Sequence, residues 1–169
     1  MVEEASGKSK FLVTAKEGIR LYNEGHRHMN TSVDMGNKNL YGRAGVEAGK
    51  AKSFFKQARA KLVEADTMDK ASDLEKAVAY VDLQLEKVDY AIQMANYGNE
   101  GKIAAYNKVV PKFNAINTKI GRAKEPEALS DPTWATRLVD QFQTQFTDEL
   151  AKAGTLIDRA HKLLSGPAS

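Results

Sequence analysis

The chain has 169 residues, 42% hydrophobic and 28% charged, with a formal net charge of +3: long enough for one domain with a real core, and of a composition that excludes wholesale disorder and the fibrous classes. The absence of Cys excludes disulfides, thiol catalysis and every cysteine-based zinc or iron–sulfur site. No apolar run approaches the roughly 18 to 20 residues that cross a bilayer, and MVEEASGKSK lacks the order of a secretory signal, so the chain reads as soluble, either cytoplasmic or exported and given without its signal segment.

Apolar residues recur at steps of three and four nearly throughout and Pro occurs only four times, which predicts helices and no strands. The expected fold is all-α, an elongated antiparallel bundle of four to five helices forming a single domain over 1–169, with 1–7 and 166–169 as flexible tails. A first helix is expected from about Lys8 to Asn30, with Leu12, Ala15, Ile19, Tyr22, His26 and Met29 inward and Val33 continuing the stripe. The Gly- and Asn-rich stretch Met35 to Gly45 reads as a flexible connection.

The second helix covers about Val46 to Asp66, with Ala51, Phe55, Ala58, Leu62 and Ala65 inward. The third opens on a capping box, Ser72 and Glu75, and carries Leu74, Val78, Val81, Leu85, Val88, Ile92 and Ala95 inward before Gly98 stops it as a left-handed cap. A fourth segment, about Glu100 to Arg122, turns Ile103, Tyr106, Val110, Phe113 and Ile120 inward, with a kink or break expected at Pro111. The linker AKEPEALS leads to Asp131 and Pro132, an N-cap followed by proline at the first helical position. The last helix is expected to end near Ser165, Gly166 and Pro167, with Val139, Phe142, Phe146, Leu150, Ala153, Ile157, Ala160 and Leu164 on its stripe.

Two of the three histidines lie in EGHRHMN, Glu24 to Asn30. On a helix each residue turns about 100°, so His26 and His28 point away from each other and cannot share one ion. His26 is expected on the buried stripe and His28 on the opposite face near Glu24. A metal site would need His26 to meet His161 or an acid from another helix. Di-iron bundles supply Glu-x-x-His from two helices, and this chain offers only Asp158-x-x-His161. His26 and His161 stand as metal candidates, and no cofactor is expected.

No G-x-S-x-G elbow or ordered triad is present, and Gly36, Gly42, Gly45 and Gly49 match neither glycine-rich phosphate motif. The Met35 to Gly45 stretch displays Leu40 and Tyr41 among small polar residues, either for recognition or to cover the end of the bundle. Around the second helix, Lys38, Arg43, Lys50, Lys52, Lys56, Arg59 and Lys61 face a single acid, Glu47. Lys52, Lys56 and Arg59 share one flank of the apolar face. That pattern suits a helix on an anionic membrane, or a packed helix whose basic side chains border a core; Asp73, Glu75, Asp82, Glu86 and Asp89 of the third helix would be their internal partners.

In architecture the five amphipathic helices without Cys resemble exchangeable lipid-binding apolipoproteins, a likeness that implies a bundle able to open on lipid. Phe55, Phe113, Trp134, Phe142 and Phe146 point instead to a core packed for one structure. The leading expectation is a non-enzymatic interaction or structural module that binds another protein through the Met35 to Gly45 loop or the long C-terminal helix. Behind it stand a peripheral membrane protein using Lys52, Lys56 and Arg59, and a metal-binding bundle around His26 and His161. A homo-oligomer is left open, and nucleic acid is disfavoured because no recognition motif accompanies the basic excess.

Overall fold

A seven-residue rhythm of small and large side chains builds the first hairpin. The computed structural model describes residues 2–70 and 73–165, with side chains from Lys10 onward except Phe142. Among these residues there are six helices and no strand: α1 Val2–Asn37, α2 Tyr41–Met68, α3 Glu75–Asn99, α4 Ile103–Ala123, α5 Glu127–Ser130 and α6 Trp134–Leu164. The chain divides into two compact units, Met1–Pro132 and Thr133–Ser169. The first unit holds α1 to α5, with α1 packed on α2, α2 on α3 and α3 on α4, an all-α bundle.

Each neighbouring pair is antiparallel. Positions near Gly18, Gly25 and Ser32 of α1 meet Leu62, Phe55 and Ala44 of α2, while Arg59 and Lys52 of α2 meet Asp82 and Asp89 of α3. On α1 one row of buried positions is Phe11, Ala15, Gly18, Tyr22, Gly25, Met29 and Ser32, with Thr14, Leu21 and His28 buried beside it. On α2 the corresponding row is Ala44, Ala48, Ala51, Phe55, Ala58, Leu62 and Ala65, with Asp66 buried beside its end. Both rows alternate steps of four and three, the heptad order that keeps two helices in contact along their length. Most of these residues are small, so the backbones come close and the few large ones, Tyr22, Phe55, Met29 and Leu62, interlock. Tyr22 and Phe55 have ring centroids 5.7 Å apart.

The stripe of α1 departs from expectation at alternate positions. Gly18 and Gly25 are buried in place of Ile19 and His26, and Phe11 and Ser32 in place of Leu12 and Val33. The same shift occurs on α3, where Ala77, Gln84 and Ala91 are buried while Val78, Leu85 and Ile92 are half-buried on its flank. At the glycine, alanine and serine positions close helix approach selects the smaller of two adjacent residues for the seam and moves the larger one aside, whereas at the start of the stripe Phe11 is buried ahead of the smaller Leu12. α2 buries all five residues expected of it.

The connection between α1 and α2 is not a flexible loop. α1 continues to Asn37 and α2 begins at Tyr41. Leu40 N–H donates to the Met35 carbonyl at 2.9 Å and Asn39 N–H to the Gly36 carbonyl at 2.9 Å, with Asn39 left-handed at φ 60. These are the paired bonds of a Schellman motif, with Asn in the position usually held by Gly. The motif recurs after α3: Lys102 N–H donates to the Tyr97 carbonyl at 2.8 Å, Gly101 N–H to the Gly98 carbonyl at 3.2 Å, and Gly101 has φ +70. The left-handed cap is therefore Gly101, and Gly98 lies inside the helix. Its bare Cα admits the Tyr41 ring, whose Cδ1 lies 2.5 Å from where a Cβ would stand.

Other boundaries shift as well. α1 runs from Val2, across most of the expected N-terminal tail; the expected tail at 166–169 lies outside the described residues. Ser72 of the expected capping box also lies outside them, and Leu74 precedes α3 without a side-chain cap. α4 stays helical through Pro111, starts at Ile103 and buries Val109, Ile116 and Ile120. Ile103 is exposed rather than inward. The expected linker ends in the single turn α5, which buries Ala128 and Leu129 and touches α1. α6 starts after Pro132, with Thr133 before its first residue, so Asp131 is not its N-cap.

Candidate functional site

The α1–α2 seam carries one polar node among its apolar layers. His28 is buried and His26 exposed, the reverse of the expected placement and a consequence of Gly25 taking the seam position. His28 Nδ1 donates to Glu47 Oε2 at 2.5 Å, and Arg27 Nη2 donates to His28 Nε2 at 3.2 Å. An arginine can only donate, so Nε2 is the acceptor here and Nδ1 carries the proton toward Glu47. The imidazole stacks on Phe54 with centroids 5.4 Å apart and planes 6° from parallel. Lys50 Nζ also donates to Glu47, at 3.2 Å. Glu47, the single acid within the basic stretch, thus joins α1 to α2, and its isolation in sequence was the signal for this role.

The hydrogen bond from His28, with that from Lys50, holds the Glu47 carboxyl below the usual glutamate range. A depressed carboxylate stabilises the fold above its unfolded pKa, and that contribution disappears as pH falls through the folded value. Glu47→Gln is expected to cost about 1 kcal/mol near neutral pH. Below pH 4.5 it is expected to lose stability less steeply than the wild type. Urea unfolding as a function of pH reads both effects, and parallel curves for the two proteins would contradict this role.

His26 lies beside Tyr22, with ring centroids 6.0 Å apart, and belongs to the first unit, whereas His161 belongs to the second. Among the described residues no group of three or more His, Cys, Asp or Glu comes together. The Tyr22 hydroxyl is buried near the Gln84 amide, and burial raises its pKa.

The basic flank of α2 faces the acids of α3. Arg59 Nε donates to Asp82 at 2.6 Å, and Lys52 Nζ lies 2.7 Å from Asp89. Lys56, exposed between them, makes no ion pair among the described residues. These half-exposed pairs each contribute about 0.2–1 kcal/mol. Arg59→Gln is expected to lower stability within that range and to do so less at high salt, while Lys56→Gln stays within about 0.5 kcal/mol of the wild type. Chemical denaturation at two salt concentrations checks both.

At the α1–α2 turn, Tyr41 covers the end of the seam. Its hydroxyl donates to Asn39 Oδ1 at 3.0 Å and its ring meets Tyr106 edge-on at 5.8 Å. Leu40 is 41% exposed. Behind Tyr41 is a cavity of about 80 Å³ lined by Ser32, Gly36, Met94, Tyr106 and Phe113, with Lys87 Nζ 5.6 Å from the centre of the Phe113 ring. Burial lowers the Lys87 pKa. The Ser32 hydroxyl is already committed to the Ala44 carbonyl at 2.7 Å, which leaves the cavity lining mostly apolar.

Among the described residues the second unit is one helix, which buries Ala135 and Val139 near its start. Leu150, Leu156, Ile157, Leu163 and Leu164 of α6 are 53 to 89% exposed. With Ala153 and Ala160 they form one continuous face, two residues wider than the stripe expected from sequence because Leu156 and Leu163 extend it. No helix of the described residues is long and apolar enough to cross a membrane. No protein-family model, curated protein or solved structure matches this chain.

Proposed function

We propose that the protein is a non-enzymatic interaction module that binds another protein through the apolar face of α6. The observation that carries this reading is the exposure of Leu150, Leu156, Ile157, Leu163 and Leu164 on a single helical face. Scattered exposed apolar residues are ordinary, whereas a contiguous row is the usual mark of a binding surface. An amphipathic helix presents such anchors at spacings of three, four and seven.

The loop reading loses ground because Tyr41 is occupied with Asn39, Gly98 and Tyr106. The membrane reading loses ground because Lys52 and Arg59 are engaged by α3. A photo-activatable side chain at Ile157 should form covalent adducts with a protein, and a second substitution, Leu150→Asp, should abolish them. Adducts that are absent, or equally abundant from a photo-activatable side chain at Gln57 on α2, would contradict the proposal.

A further inference from the structure

We infer that the partner seated on the α6 face is a second copy of this chain, with the two α6 helices antiparallel. The inference rests on the binding role proposed for that face and identifies its occupant. Two independent properties of α6 select it.

The first is size. Leu150, Ile157 and Leu164 repeat every seven residues, and Ala153 and Ala160 repeat three residues after the first two. Large and small residues therefore alternate along the centre of the face. In a parallel pair, like positions meet, so Leu and Ile would crowd together in one layer and the alanines leave a gap in the next. In an antiparallel pair, the first position of one helix meets the fourth of the other. Each large side chain then fills the space over an alanine, as close packing requires.

The second is charge. Over 140–151 the only charged residues are Asp140, Asp148 and Glu149, whereas over 152–164 Lys152, Arg159 and Lys162 outnumber Asp158. The change of sign falls at mid-helix, beyond the first and last turns where a helix dipole would account for it. Reversing one copy against the other lays acidic half on basic half. The same edge of each helix meets in that arrangement, which brings Glu149 of one copy beside Arg159 of the other. Parallel pairing would set like charges side by side. Four acids also distinguish this helix from the Lys- and Arg-rich ones that lie on anionic membranes.

The chain has no Cys, so single cysteines report position without background. Wild-type chain is expected to show a concentration-dependent monomer–dimer equilibrium by sedimentation, with Ile157→Asp weakening the dimer at least about tenfold while the thermal unfolding of the bundle is unchanged. On oxidation, Leu156→Cys, at the middle of the face on the edge that the two copies share, should form a disulfide-linked dimer, and Leu164→Cys at its end should not.

Linkage at both positions overturns the antiparallel arrangement. A chain that stays monomeric at every concentration, with α6 amides exchanging rapidly, overturns self-pairing and leaves the face open to another protein; binding to anionic phosphatidylserine vesicles in that case assigns it to a membrane. A monomer with slow α6 exchange, and an Ile157→Asp variant that melts early, overturns both the inference and the binding role, because the chain itself then covers the face.

Discussion

Phe55→Ala is expected to destabilise the bundle by about 3–5 kcal/mol, the largest effect of any single substitution in the first hairpin. The Phe55 ring is fully buried. It lies against Tyr22 of α1 and over the bare Cα of Gly25, so truncation removes the one large residue in the middle of an alanine-rich stretch of α2. Small neighbours cannot reach across to refill the space, which places the loss toward the upper end of the range for large-to-small changes. Guanidinium unfolding measures it. A loss below about 1 kcal/mol, which only a well-relaxed site could give, would mean that the α1–α2 seam is not the core.

Gly25→Ala is expected to destabilise by about 1–2 kcal/mol, against the usual sign of a glycine-to-alanine change in a helix. An added Cβ would stand 2.7 Å from Phe55 Cδ1 and 2.8 Å from Cε1. That ring cannot move aside, because it has no exposed surface. Overpacking of this kind costs about 1–3 kcal/mol, offset by the gain of up to about 1 kcal/mol in helix propensity. Gly49→Ala, in α2 with nothing within 4 Å of the added Cβ, should stabilise by up to about 1 kcal/mol. The decisive comparison is a double-mutant cycle: in a Phe55→Ala background, Gly25→Ala should become neutral or stabilising. Additive losses would show that the contact is not what makes glycine necessary.

The fold class and the α2 stripe were legible in the sequence because Ala51, Phe55, Ala58, Leu62 and Ala65 repeat without competing neighbours. On α1 and α3 the choice lay between adjacent residues, Gly18 or Ile19, Gly25 or His26, Gln84 or Leu85. A hydrophobicity pattern selects the larger or more apolar of each pair. At Gly18 and Gly25 the packing selects the smaller, because helices approaching closely have little room at the seam, whereas Gln84 is turned inward with its amide near the Tyr22 and Tyr80 hydroxyls. The exchange of roles between His26 and His28 follows from this, and with it the His28–Glu47 node.

The Asn39 cap was hidden for a different reason. A run of Gly and Asn reads as loop, and only the backbone geometry distinguishes a one-residue left-handed cap from a flexible stretch. Gly98 and Gly101 show the same limit, since two glycines three residues apart gave no sign of which would turn the chain and which would admit Tyr41. The charge on α2 was legible with both of its readings, and Asp82 and Asp89 lie against Arg59 and Lys52 as the packing reading expects.

The proposed binding role requires the apolar face of α6 to be open in the monomeric chain. Native-state hydrogen exchange on dilute, monomeric chain tests it most directly. The amides of residues 150–164 are expected to exchange by local opening far faster than those around Tyr22, Phe55 and Leu62, which should exchange only on global unfolding. Protection of 150–164 equal to that of the α1–α2 seam at the same dilution would contradict the account and make α6 part of the core.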